Sequence, residues 1–285
     1  MSTGRSSNPT IPAERTRTAE SGTDGSFGPC KVVILAGGFG TRLAEHTDEI
    51  PKPMVEVGGR PILWHILKIY SQHGFHDFLI AGGYRSEVIK RFFLEYREQM
   101  SDLVFDFTRG TVDRLNTHIE PWRVGVIDTG PDSMTGGRIR RLAPQIGDRT
   151  FMMTYGDGVA DVDIPALLRF HRSHGRLATF TAVQRPSQFG VPTMEGDRAI
   201  RFAEKPAGES DWISGGFFVL EPGVLRYIEG DGTNFELESL NRLAADGELM
   251  AYRHRGFWQP MDTLRDVRKL NALWAEGKAV WKTWS

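Results

Sequence analysis

A run of glycines beside two cations is the first chemistry this chain offers. Gly37-Gly38-Phe39-Gly40-Thr41-Arg42 follows the apolar run Val32-Val33-Ile34-Leu35-Ala36, and Lys52 stands ten residues past Arg42 in Ile50-Pro51-Lys52-Pro53. A strand that empties into a glycine loop presents backbone N–H groups to an anion. One Arg and one Lys add the charge a polyphosphate needs. Residues 35–42 with Lys52 therefore form a candidate nucleoside-triphosphate site.

Other segments carry further chemistry. Asp157 stands between Gly156 and Gly158, just past the apolar run Phe151-Met152-Met153-Thr154-Tyr155. The carboxyl end of a buried strand is where α/β sheets bind ligands, and flanking glycines let a phosphate approach the backbone. An Asx turn is the alternative. Asp262, in Trp258-Gln259-Pro260-Met261-Asp262-Thr263, is either a helix N-cap or a ligand. Together, Asp157 and Asp262 suit Mg²⁺, which takes one or two carboxylates plus substrate phosphates. In Glu204-Lys205-Pro206, Lys205 suits a sugar phosphate and Glu204 its hydroxyls, unless the segment is a solvated turn. Ser133 to Arg138 places two glycines, a Thr and an Arg at a strand-to-helix turn, which suits a base edge and a phosphate or else is a flexible loop. His171 and His174 share a helix without a third metal ligand.

These residues need a scaffold. The 285 residues are 40% hydrophobic and 25% charged, enough for one large α/β domain with a buried core. The net charge of −1 gives no field directed at nucleic acid. Cys30 is the lone cysteine, which excludes an internal disulfide and fits a reducing compartment, here expected to be the cytoplasm. No apolar run approaches the ~18–20 residues of a membrane span. Residues 1–29 hold almost no large apolar side chain, so they read as a disordered extension preceding a domain at 30–285.

The strand 31–36 lacks alternation, so both its faces should be buried. Pro61 opens a helix that Gly74 closes, Phe78-Leu79-Ile80 is the next strand, and Ser86 is placed to cap a helix to Met100. Strands follow at 124–127, 151–155, 177–183, 189–191, 199–202, 213–220 and 249–254. Helices follow after Arg138, at 163–174, near 224–228, at 235–245 and at 263–274, and 258–262 reads as a loop. This rhythm is that of a doubly wound α/β sheet.

Two common nucleotide motifs are excluded. A dinucleotide fingerprint needs glycine where Leu43 stands and an acid where Gly82-Gly83-Tyr84 stands, and the Gly-Lys-Ser/Thr of a P-loop is absent. The strings LAGGFGTRL, PKPMVEVGGRPILWHILKIY, IEPW, DTGPDSMTGGR, TYGDGVADV, EKP, GGFFVL, GELMAYRH, GFWQPMDTLRD and LWAEGKAVWKTW, spanning nearly all of 31–285, instead resemble the glucose-1-phosphate cytidylyltransferase branch of the sugar-phosphate nucleotidylyltransferases. The resemblance implies a GT-A-like Rossmann-type α/β core, its mixed and mostly parallel sheet flanked by helices with small β-rich additions. It also implies Mg²⁺ dependence, a homo-oligomer, and CTP and a sugar 1-phosphate as partners, without nucleic acid or membrane.

Carried over by position, the resemblance puts Leu35, Ala36, Gly37, Gly38, Phe39, Gly40, Thr41 and Arg42 around the nucleotide, with Arg42 and Lys52 on its phosphates. Ser133, Arg138 and Gly156 complete the CTP site, Asp157 and Asp262 hold Mg²⁺, and Glu204 and Lys205 meet the sugar phosphate. Arg42, Lys52 and Asp157 are the implied catalytic groups. Gly190, Ser214 and Gly215 fall on the sugar side. There the chain departs from the branch: Ser214 replaces the usual Asn, Phe235 the usual Trp, and residues 188–192 differ; Ile50 replaces a usual Lys. Another nucleotide, another sugar or cyclitol phosphate, or a catalytically silent regulatory paralogue are the alternatives.

Overall fold

The computed structural model describes residues 30–40, 50–184, 190–195, 198–204 and 212–284. The expected extension 1–29, Thr41, Arg42 and Lys205 lie outside the described residues. In chain order the strands are β1 Val32–Ala36, β2 Glu56–Val57, β3 Arg60–Pro61, β4 Asp77–Gly82, β5 Asp102–Asp106, β6 Thr111–Leu115, β7 Arg123–Asp128, β8 Phe151–Tyr155, β9 Gly158–Ala160, β10 Ala178–Gln184, β11 Gly190–Glu195, β12 Arg198–Glu204, β13 Trp212–Leu220, β14 Leu249–His254 and β15 Trp258–Pro260. Seven of them make one sheet, in the order β14-β10-β13-β8-β1-β4-β7. β1 runs parallel to β4 and β8, β4 to β7, and β10 to β14. β13 alone is antiparallel to both its neighbours. The remaining strands form two-stranded ribbons, which are the small β-rich additions.

β1 shows why the sequence run lacks alternation: all five residues are buried. Val32, Ile34 and Ala36 join the core on one face, and Val33 and Leu35 the core on the other. Each of the Val, Ile and Leu side chains contributes about 1.5–3 kcal/mol by leaving water. The first core receives helix Ile62–Ser71, eight of whose ten residues are buried. The second receives Ile139 from helix Thr135–Arg141, Leu142 just past its end, and Phe235.

The C-terminal tail completes the first core. Trp281 is fully buried, and its Nε1 donates to Nδ1 of the fully buried His65 at 3.3 Å. His65 Nε2 donates to the Val57 carbonyl at 2.8 Å. Burial pulls the His65 pKa down to about 4, against the small upward pull of the Val57 bond.

Several expected boundaries shift. Ser86 does not cap its helix but begins it; Arg85 precedes it at φ 54° with no side-chain cap. Helix Thr135–Arg141 starts inside the expected glycine loop, so Gly136, Gly137 and Arg138 are helical. The expected loop 258–262 contains β15, paired with β9. Residues 222–227 form a 3₁₀ turn, and 235–239 a π-helical turn leading into helix Leu240–Ala245.

Between pH 6.5 and about 4 the unfolded chain protonates His65 and the folded chain does not. Stability should therefore fall as pH falls through that window. His65→Gln should be less stable at pH 7.5 but show a shallower pH dependence, read as urea midpoints. Parallel midpoint curves for the two proteins would exclude this role.

Candidate nucleotide site

The parallel register of β1, β4 and β8 places their carboxyl ends side by side: Ala36 opposes Gly82, and Leu35 opposes Tyr155. Their loops open on one edge of the sheet. The described residues of the expected nucleotide set, 35–40 with Lys52, Ser133, Arg138 and Gly156, all line one cleft of about 520 Å³ there. Asp157 and Asp262 line it too.

Two carboxylates and one ammonium form its charged centre. Lys52 Nζ lies 2.6 Å from Asp157 Oδ2 and 2.7 Å from Asp262 Oδ1. Burial opposes the Lys52 charge, but the attraction and hydrogen bonds of Asp157 and Asp262 outweigh it, and its pKa is raised. The two acids, 105 residues apart in sequence, are brought together by the β9–β15 ribbon, in which Gly158 opposes Pro260. Met261 N then donates to the Asp157 carbonyl at 2.7 Å. The N-cap alternative for Asp262 falls to its neighbour: Thr263 and Asp266 form a capping box on helix Leu264–Ala275. Asp262 is thereby left directed at Lys52. Among the described residues no three His, Cys, Asp or Glu side chains gather as a metal cage. The lysine ammonium marks where two carboxylates accommodate one cation.

Arg138, expected on the nucleotide, lines the cleft and is held there by the protein's own loops. Only 5% exposed, it donates through Nη1 to Thr129 Oγ1 and the carbonyls of Gly130 and Gly82, at 2.8, 2.7 and 3.2 Å. Through Nη2 it donates to the carbonyls of Gly37 and Pro131, at 2.9 and 3.1 Å. Burial, with Arg141 nearby, lowers its pKa. The guanidinium thus ties the ends of β1, β4 and β7 together, through four backbone carbonyls and one hydroxyl. It also explains two glycines: a Cβ on Gly37 would lie 2.1 Å, and one on Gly83 2.4 Å, from Arg138 Nη1. Gly136 and Gly137 likewise serve packing, since a Cβ on Gly137 would meet the Asp231 carbonyl at 2.4 Å.

Of the expected sugar-side residues, Ser214 and Gly215 are not among the described residues that line the cleft. Gly190 and Glu204 face each other in register on the β11–β12 hairpin. Ser214 is exposed on β13. Gly215 accepts a hydrogen bond from Trp258 Nε1 at 2.8 Å, which ties β13 to β15.

Four cleft residues lay outside the site segments read from sequence: Pro53, Pro131, Asp132 and Tyr155. Each stands within two residues of a motif residue, and that proximity was the available signal. Pro53 packs where a Cβ on Gly156 would lie, 2.9 Å from its Cγ, which explains that glycine.

The model of the Nucleotidyl transferase family matches residues 31–281. This chain belongs to the nucleotidyl transferase family. Within it, the chain falls with the glucose-1-phosphate cytidylyltransferases. It is 52% identical over 255 residues to the one from Salmonella typhi, covering 89% of this chain and 99% of that protein. It is 45% identical over 255 residues to a probable glucose-1-phosphate cytidylyltransferase from Bacillus subtilis, covering 89% of this chain and all of that protein. The solved inositol-1-phosphate CTP transferase from T. maritima shares the fold, with a TM-score of 0.62 at 14% identity over 90% of this chain and 98% of the other. The family's activity makes the chain a nucleotidyltransferase. No helix among the described residues is long and apolar enough to cross a membrane.

Arg138→Lys keeps the charge and loses the fork, leaving buried carbonyls without donors. It should cost about 1–3 kcal/mol of stability by urea denaturation. A variant as stable as the parent would show that the fork does not hold the loops.

Proposed function

We propose that this protein transfers the cytidylyl group of CTP to a sugar 1-phosphate, α-D-glucose 1-phosphate first, giving CDP-sugar and pyrophosphate. The near full-length match to the Salmonella typhi relative carries the choice of substrates. The cleft supports the reaction class, because its glycine loop leads to a cationic centre between two carboxylates.

The incoming phosphate needs no general base. A phosphate monoester with a second pKa of about 6 is mostly dianionic at neutral pH and can attack the α-phosphorus directly, with pyrophosphate leaving. The protein's task is positioning and charge neutralisation. Leu35 to Gly40 offer backbone N–H groups to the nucleotide. Lys52 has Asp157 and Asp262 for partners here, and a triphosphate in the cleft would compete for its ammonium. Arg42 adds charge on the same phosphates; Lys205 and Glu204 are assigned to the sugar phosphate. Asp157 and Asp262 would hold Mg²⁺, which supplies Lewis-acid charge at phosphate oxygens when bound. Their convergence on one cation supports that fit.

The proposal includes a cytoplasmic homo-oligomer. The single, buried cysteine suits a reducing compartment. Phe105 and Phe107, 54% and 91% exposed on and beside hairpin β5–β6, give an apolar surface suited to a second copy. A second reading, with another sugar or cyclitol phosphate, is favoured by Ser214 standing where the resembled branch carries Asn, because hydroxyl recognition depends on matched hydrogen bonds.

Pyrophosphate release across four NTPs and a panel of sugar and cyclitol phosphates should peak with CTP and glucose 1-phosphate. A peak elsewhere reassigns the substrates, and none at all removes the activity. Asp157→Asn should nearly abolish turnover while the protein stays folded by circular dichroism; an active variant with unchanged Mg²⁺ dependence defeats the metal assignment. Lys205→Ala should raise KM for the sugar phosphate more than for CTP, and equal effects would remove its special role.

A further inference from the structure

Two hydroxyls that line the cleft meet on one carboxylate behind it. Thr135 Oγ1 donates to Glu236 Oε2 at 2.6 Å, and the Tyr155 hydroxyl donates to Glu236 Oε1. Thr135 Oγ1 in turn accepts from Phe235 N at 2.9 Å. Thr135 and Tyr155 line the cleft, whereas Glu236 does not. Thr135 opens helix Thr135–Arg141 on the nucleotide side. Tyr155 ends β8, two residues before Asp157.

Each hydroxyl belongs to a different wall. Segment 231–235 is joined to the nucleotide wall through the backbone: Met134 N donates to the Asp231 carbonyl at 2.8 Å and Gly136 N to the Thr233 carbonyl at 3.0 Å. Glu236 is therefore carried by that wall. Its other oxygen reaches the strand end that bears Asp157. The Tyr155 ring itself is held edge-on to Phe218, with centroids 6.0 Å apart, in space left by Gly216, where a Cβ would lie 2.5 Å from the ring. Glu236 also sits on the π-helical turn Phe235–Ser239, a rare conformation that recurs at functional sites.

The chemistry of the bridge favours a carboxylate. Two hydroxyl donors need two acceptors, and an ionised carboxylate supplies both as charge-assisted bonds. A glutamine supplies one acceptor and one donor. Thr135 Oγ1 already accepts from Phe235 N, so its own proton still needs an acceptor. An amide therefore fits only if Tyr155 reverses its bond.

We propose that Glu236 is a positioning residue for nucleotidyl transfer: by holding Thr135 and Tyr155 together it sets the spacing between the nucleotide wall and the strand end that carries Asp157. Displacements of about 1 Å in such a site can cost on the order of a hundred-fold in rate, so a strut of this kind acts on turnover rather than on substrate capture. The inference rests on the proposed nucleotidyl-transfer reaction, though not on the choice of CTP.

The test compares Glu236→Gln, Tyr155→Phe and the double variant in steady-state pyrophosphate release, with thermal melting as a fold control. Each single variant should lose about ten- to a hundred-fold in kcat, with both KM values changed far less. The double variant should be no slower than the slower single, because both substitutions act on the one Tyr155–Glu236 contact. Unchanged kcat with a lowered melting temperature would assign Glu236 to the scaffold alone and overturn the proposal. So would losses that multiply in the double variant. If the wild-type protein turns over only with a different nucleotide, the CTP assignment fails, and the same comparison on that nucleotide still decides the role of Glu236. Absence of turnover with any nucleotide overturns both.

Discussion

One buried guanidinium fixes the geometry of the cleft. Taking a charge out of water is costly unless it is paired and hydrogen-bonded. Arg138 meets this condition with four backbone carbonyls and one hydroxyl instead of a carboxylate. Those acceptors belong to the loops after β1, β4 and β7, so satisfying the charge forces three strand ends into one arrangement. Side chains larger than hydrogen are excluded at Gly37 and Gly83 for the same reason. Gly37 thus answers to an internal cation, whereas Gly38 has open space where a side chain would stand.

The acid pair depends on a different constraint. Asp157 stands two residues past β8, while Asp262 arrives 105 residues later, just past the β9–β15 ribbon. A main-chain hydrogen bond from Met261 to Asp157 sets their spacing. The capping box at Thr263 lets the terminal helix begin without using Asp262. Three local satisfactions of backbone groups thereby leave two carboxylates aimed at one cation.

Much of this was legible in the sequence. The unbroken apolar run 32–36 announced a strand buried on both faces, and the glycine loop, Lys52 and the Gly-flanked Asp157 announced the ligand edge. What stayed hidden were partnerships between distant residues. Arg138 suits a phosphate by its type and neighbours, but nothing local reveals that Gly37, Gly82 and Gly130 also present their carbonyls to it. The β15 strand was hidden because three residues ending in proline carry no periodicity, and only the partner strand β9 makes them extended. Glu236 was hidden because its partners Thr135 and Tyr155 stand 101 and 81 residues away in the chain. The Ser86 cap failed because an αL residue at Arg85 turns the chain into the helix one position early.

The contact between Trp281 and His65 spans 216 residues. During synthesis at about 5–20 residues per second, helix Ile62–Ser71 therefore emerges roughly 10–40 s before the tail that covers it exists. Throughout that interval the apolar side chains that will face Trp281 have no permanent cover. The first core can close only after Trp281 has been made, so its final packing waits on a contact that spans most of the described fold.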